Sequence, residues 1–222
     1  RTLSLGKSDI RDISPLAKLR VIQKLYLANN RISELEPLRE LTQLASLNLW
    51  QNEIDDLTPL AALSRLQHLN LSANRITDVS ALSQLSQLRT LRLTDNSIEH
   101  VEPLTGLVNL TELRLGSNRI ENVVPLAKLD HVTVLDLNEN FISDISSLEA
   151  LPRLEVLKLR LQLRVGRLDV LHMCEQARQL PLNALFSLKR SHSIEGLLHQ
   201  RLNRVLFRVL LRLQKLLDVC LG

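Results

Sequence analysis

Apolar and polar positions alternate along this chain in short Leu-x-Leu bursts that return every 22 residues: Leu25/Leu27, Leu47/Leu49, Leu69/Leu71, Leu91/Leu93, Leu113/Leu115 and Leu135/Leu137. Alternation with period two predicts a short β-strand with its leucines turned to one side and the intervening residue to the other. Each burst is followed by asparagine, at Asn30, Asn52, Asn74, Asn96, Asn118 and Asn140, and two places later by isoleucine. A diverged copy opens the chain with Leu3, Leu5, Ser8 at the asparagine place and Ile10; an eighth starts at Leu151. Self-similarity at a fixed short period is the mark of a solenoid, in which no coil can bury its apolar side alone and stacked coils share one interior.

The strands of such a stack lie parallel, and their leucines fill the shared core, each contributing roughly 1.5–3 kcal/mol by burial. Asparagine carries a donor and an acceptor on one short side chain. Placed where the chain turns inward, it is expected to satisfy backbone groups of its own coil and the next, which makes the asparagine ladder structural. The return limb repeats as well: Pro15, Pro37, Pro59, Pro103 and Pro125 fall in phase, with Ala81 and Ser147 in the other two copies. Proline suits the first turn of a helical segment. About ten residues per limb are too few for a full α-helix, so a 3₁₀ turn or an extended segment is expected. The acids Asp12, Glu34, Asp56, Asp78 and Asp144 recur near the start of that turn, interrupted by His100 and Asn122. One acid per coil at a helix start reads as capping rather than as a calcium column.

Residues that alternate away from the leucines face out of the sheet. Tyr26, Asn48, Asn70, Arg92, Arg114, Asp136 and Lys158 lie between paired leucines, Trp50 directly follows Leu49, and His68 precedes Leu69. The chain has one tryptophan and one tyrosine, and this pattern puts both on adjacent coils of a face that folding does not require to be aromatic. Aromatics and arginine are what binding hot spots favour. These nine residues are the candidate partner-binding surface.

The motif LxxLxxLxLxxNxIxDxxPL resembles the 22-residue subclass of leucine-rich repeats, which includes bacterial internalins and a eukaryotic regulatory subunit of protein phosphatase-1. Segments such as "ITDVSALSQLSQLRTLRL" and "ISPLAKL" look closest to the internalin-like form. The resemblance covers about residues 1–160. It implies an α/β solenoid with parallel β on a concave face and short convex segments, and a non-enzymatic role in which that face grips another protein.

Composition adds a boundary. Residues 1–159 hold 17 basic against 20 acidic side chains, a net of −3, whereas residues 160–222 hold 11 against 4, a net of +7. At the same point the repeat fails, with Gln162 and Arg164 at the asparagine and isoleucine places. We therefore expect a solenoid of seven to eight coils over 1–160 and a basic, Leu/Arg-rich helical tail over 161–222. Helical periodicity is read at 168–180 and 194–220. The tail could cap the last coil, target a membrane surface or partner through 194–220, or be an out-of-frame end. The second of these gives the alternative function, a scaffold or membrane-associated protein directed by its amphipathic helix.

Other chemistry finds no support in the pattern. There is no Gly-rich phosphate loop, CxxC pair or HExxH, and the six histidines occupy unrelated repeat positions, so no enzyme, metal, cofactor or nucleic-acid partner is expected. A monomer is expected. Cys174 and Cys220 are the only cysteines, too few for a disulfide framework. The chain opens with Arg1 and has one methionine, Met173, which reads as a fragment or processed form. Both a cytoplasmic and a bacterial cell-surface location stay open.

Overall fold

The computed structural model describes residues 1–159. Eight strands are found among them: β1 (Thr2–Ser4), β2 (Lys24–Tyr26), β3 (Ser46–Asn48), β4 (His68–Asn70), β5 (Thr90–Arg92), β6 (Glu112–Arg114), β7 (Val134–Asp136) and β8 (Val156–Lys158). They form one parallel sheet in chain order. Every pairing advances the register by one repeat, so that Leu25, Leu47, Leu69, Leu91, Leu113 and Leu135 stand side by side. These six leucines are buried, as are Leu27, Leu49, Leu71, Leu93, Leu115 and Leu137 after the strands. Each coil thus supplies the apolar lid of its neighbour.

The return limbs are 3₁₀ segments at Ser14–Lys18, Glu36–Leu38, Thr58–Ala62, Ser80–Leu82, Glu102–Gly106, Val124–Lys128 and Ser146–Ala150. Five of the seven carry proline in the first turn, where its missing N–H has no intrahelical acceptor to lose. The leucine that follows the repeat's Pro/Ala/Ser place is buried in each, from Leu16 to Leu148. The fold is the expected solenoid of parallel strands and short 3₁₀ turns.

The recurring carboxylates act locally. Asp12, Asp56, Asp78 and Asp144 each accept the backbone N–H two residues on, at 2.7–2.8 Å. Asn122 does the same for Val124 at 3.0 Å. A neutral amide fills the place equally well, which is the behaviour of a turn and not of a cation site.

The ladder runs in the opposite direction from the one expected. Asn52 donates its amide to the carbonyls of Leu49 in its own coil and Leu27 in the preceding one, both at 3.0 Å, and its oxygen accepts from Ile32 N at 3.0 Å. The same set recurs at each asparagine from Asn30 to Asn140; for example, Asn96 accepts from Ile76 N and Asn140 from Ile120 N, both at 3.0 Å. The partners therefore lie in the asparagine's own coil and the preceding coil, not the next. The 22-residue spacing is symmetric along the chain and does not carry direction; the parallel stacking brings the isoleucine N–H of the earlier coil to the amide oxygen.

Just before each asparagine the backbone turns through positive φ, at Asn29, Gln51, Ala73, Asp95, Ser117 and Glu139, with values of 53–59°. This left-handed residue turns the chain inward after the strand. None of the six is glycine.

The tail segments at 161–222, the two helices read there, the cap and the membrane-directed alternative all lie outside the described residues.

Candidate functional site

The side of the sheet that faces away from the leucines is built from three columns. The first runs through the opening residue of each strand: Lys24, Ser46, His68, Thr90, Glu112 and Val134. The second runs through the closing residue, in the register Tyr26, Asn48, Asn70, Arg92, Arg114, Asp136, Lys158. The third lies two residues further along, where Trp50 stands between Ala28 of the coil before and Ser72 of the coil after. The structure thus brings all nine candidate residues to one face, seven of them in a single column.

Trp50 is 41% exposed, whereas Leu49 beside it is fully buried. Its indole therefore stands partly in solvent, on the side of the chain opposite the leucine core. Its backbone N–H is held by the Asn48 side-chain oxygen at 3.0 Å. Asn70 binds the N–H of Ser72 in the same way at 3.1 Å, and Asp136 that of Asn138 at 3.2 Å. A backbone N–H can only donate, so the amide oxygens of Asn48 and Asn70 are the atoms engaged, and their NH₂ groups take no part in these bonds. His68 sits in the first column with Nδ1 3.3 Å from the Thr90 hydroxyl.

The second half of the face carries charge, and the sequence reading missed the residue that organises it. Glu112 receives the Nε of Arg92 at 3.1 Å, and the Nε of Arg114 lies 2.6 Å from the same carboxylate oxygen. Burial by itself pushes the Glu112 carboxyl up. Its hydrogen bond to Arg92 and the charges of Arg92 and Arg114 outweigh that, and the group is held below its ordinary value. Further along, Lys158 Nζ lies 3.7 Å from Asp136. Glu112 occupies the place that His68 holds two coils earlier, so the argument that selected His68 would have found it. The opening strand position alternates away from the leucines just as the closing one does, which puts Glu112 on this face.

Among the described residues no group of three His, Cys, Asp or Glu is placed to hold a metal ion.

The chain belongs to the leucine-rich repeat family. The family model described as "Leucine rich repeat" matches residues 42–98 and 64–120, and that described as "Leucine Rich repeats (2 copies)" matches 21–62 and 108–150. Among solved structures the chain is similar to internalin C2 of Listeria monocytogenes, with 34% identity, a TM-score of 0.69, and 75% of this chain and 76% of that one covered. It is also similar to a second internalin of that organism, with 32% identity, a TM-score of 0.62, and coverage of 72% of this chain and 54% of that one. A leucine-rich repeat protein of Leptospira interrogans matches with 25% identity and a TM-score of 0.68, over 72% of this chain and 43% of that one. The repeats are internalin-like. No curated protein matches the chain.

Proposed function

We propose that the chain is a protein-interaction module whose partner is gripped by the outward face of the sheet. Membership of the leucine-rich repeat family and the internalin-like neighbours support an interaction module in general. The observation that carries the choice of face is Trp50: the only tryptophan of the chain is two-fifths exposed there, one coil from the only tyrosine. A large amphipathic ring that folding does not need is what a binding hot spot presents. The amide groups of Asn48 and Asn70 and the guanidiniums of Arg92 and Arg114 continue the column of Tyr26 beside Trp50, and they supply the polar contacts that fix orientation around such an anchor.

The test begins with a photo-crosslinking side chain at position 48 or 70, which should capture a protein partner, while the same group at Val124 on the return limb should not. With the captured partner in hand, Trp50→Ala should weaken binding by about 2 kcal/mol or more. Equal affinity of the Trp50→Ala and wild-type chains would count against this face.

A further inference from the structure

We infer that the segment bound by this face is extended and acidic, with an Asp or Glu side chain seated on the Arg92–Arg114 pair. The inference rests on the reading of the sheet face as the partner surface and adds the chemistry of the occupant.

Charge is the first argument. Arg92 and Arg114 stand directly side by side in the β5–β6 register. Like charges in that relation repel, and the fold does not demand them, since the same column holds Asn48 and Asn70 two strands earlier. One carboxylate, Glu112, stands between both guanidiniums: it accepts a hydrogen bond from Arg92 Nε and lies 2.6 Å from Arg114 Nε, which has no aligned hydrogen bond. Asp136 is paired with Lys158 instead. The arginine pair therefore keeps one net positive charge on side chains that are 41% and 37% exposed. A guanidinium has five N–H donors and no acceptor, and its planar fork matches a carboxylate.

Hydrogen-bond direction is the second argument, and it is independent of charge. Asn48 and Asn70 use their oxygens on Trp50 N and Ser72 N. What they offer outward is their NH₂ groups. From Asn48 to Arg114 the column is thus a row of donors, and a row of donors calls for a ligand made of acceptors. An extended peptide supplies backbone carbonyls for the amides and one acidic side chain for the arginines.

Spacing then sets a motif. Strands in a sheet lie about 4.8 Å apart, so the Tyr26–Trp50 end and the Arg92–Arg114 pair are separated by about 14 Å across three strand intervals. Extended chain rises about 3.3 Å per residue, which places the acid about four residues from the side chain seated at the aromatic end.

A library of randomised twelve-residue peptides, selected against the intact 222-residue chain, tests this. Enriched peptides should carry Asp or Glu about four residues from an apolar or aromatic residue. Replacing that acid by its amide should weaken binding roughly tenfold or more, and so should Arg92→Asn with Arg114→Asn, substitutions the same column already tolerates at 48 and 70. Glu112→Gln removes the internal competitor and should tighten the same peptides, with a steeper dependence on salt. Peptides that need Trp50 but lose nothing with their acid would overturn the inference and leave the face reading standing. Binders indifferent to Trp50, Tyr26 and the arginines alike would overturn the face reading itself. A selection that yields no acid-bearing binder, or one in which inorganic phosphate displaces the peptides as well as free glutamate does, would overturn the acidic segment.

Discussion

Asn96 and Asn118, one coil apart, donate to the same acceptor: the carbonyl oxygen of Leu93 receives both amides, at 3.0 and 2.9 Å. Leu27, Leu49, Leu71 and Leu115 are shared in the same way, each by the asparagine of its own coil and that of the next. A carbonyl has two lone pairs, and here both are filled by side chains of successive coils. The ladder is therefore a continuous chain of bonds, and each asparagine holds its own coil to the one before.

Removing one rung should leave several backbone groups unmet at once. Asn118 is buried and also accepts from Ile98 N at 3.0 Å. Asn118→Ala should lower stability by about 2 kcal/mol or more, since each stranded buried group costs about 1–3 kcal/mol. Ser97→Ala should change it by less than about 0.5 kcal/mol. Urea midpoints that coincide for the two variants would refute a structural role for the ladder.

Leu49 and Trp50 are neighbours in sequence and opposites in the fold. Leu49→Ala should cost about 2–5 kcal/mol, because it empties a filled core site. Trp50→Ala should cost no more than about 1 kcal/mol, because the ring is already partly in water. Thermal unfolding of both variants orders them. If Trp50→Ala proves the more damaging, the ring belongs to the interior and not to the binding face.

Much of this is legible in the sequence. Leu-x-Leu fixes which residues face in, so Tyr26, Asn48, Arg92 and Arg114 could be assigned to one face from spacing alone, and proline in phase announced the short return turns. Direction was not legible. A strict period looks the same forwards and backwards, so Asn52 could be given backbone partners but not the coil that holds them. Pairing across strands was only half legible: the register that sets Arg92 beside Arg114 follows from 22-residue spacing, but the diagonal reach from Glu112 to Arg92 depends on side-chain length and rotamer. The left-handed turn at Gln51 or Ala73 left no mark at all, because neither residue is one that prefers such a backbone.

That turn yields a prediction of opposite sign to most substitutions. Ala73 sits at φ 55°, where its Cβ crowds the following carbonyl at a cost of about 1–2 kcal/mol. Glycine adopts the same conformation freely, although it loses more chain entropy on folding, by roughly 0.5–1 kcal/mol. Ala73→Gly should raise stability by up to about 1 kcal/mol. Asn29→Gly at φ 58° should gain less, because asparagine already tolerates this region. A destabilised Ala73→Gly chain in urea titration would show that the strain is absorbed elsewhere.

Acid should loosen the return limbs in a way that substitution can abolish. The carboxyls of Asp12 and Asp144 are lowered first by the backbone N–H of Ser14 and Ser146, and those of Asp56 and Asp78 first by the hydroxyls of Thr58 and Ser80. A carboxyl whose folded value lies below its unfolded one binds protons more readily in the unfolded chain. Stability from these groups is therefore fully present above the ordinary carboxylate range, about pH 4, and is lost as pH falls through the lowered folded values. Replacing all four by asparagine should keep the turns, as Asn122 does with Val124. It should also flatten the decline in stability below about pH 4 while changing stability at pH 7 less. Urea unfolding of the two chains between pH 2.5 and 7 reads the difference. Parallel curves across that range would mean that other carboxylates, Glu112 first among them, govern the acid response.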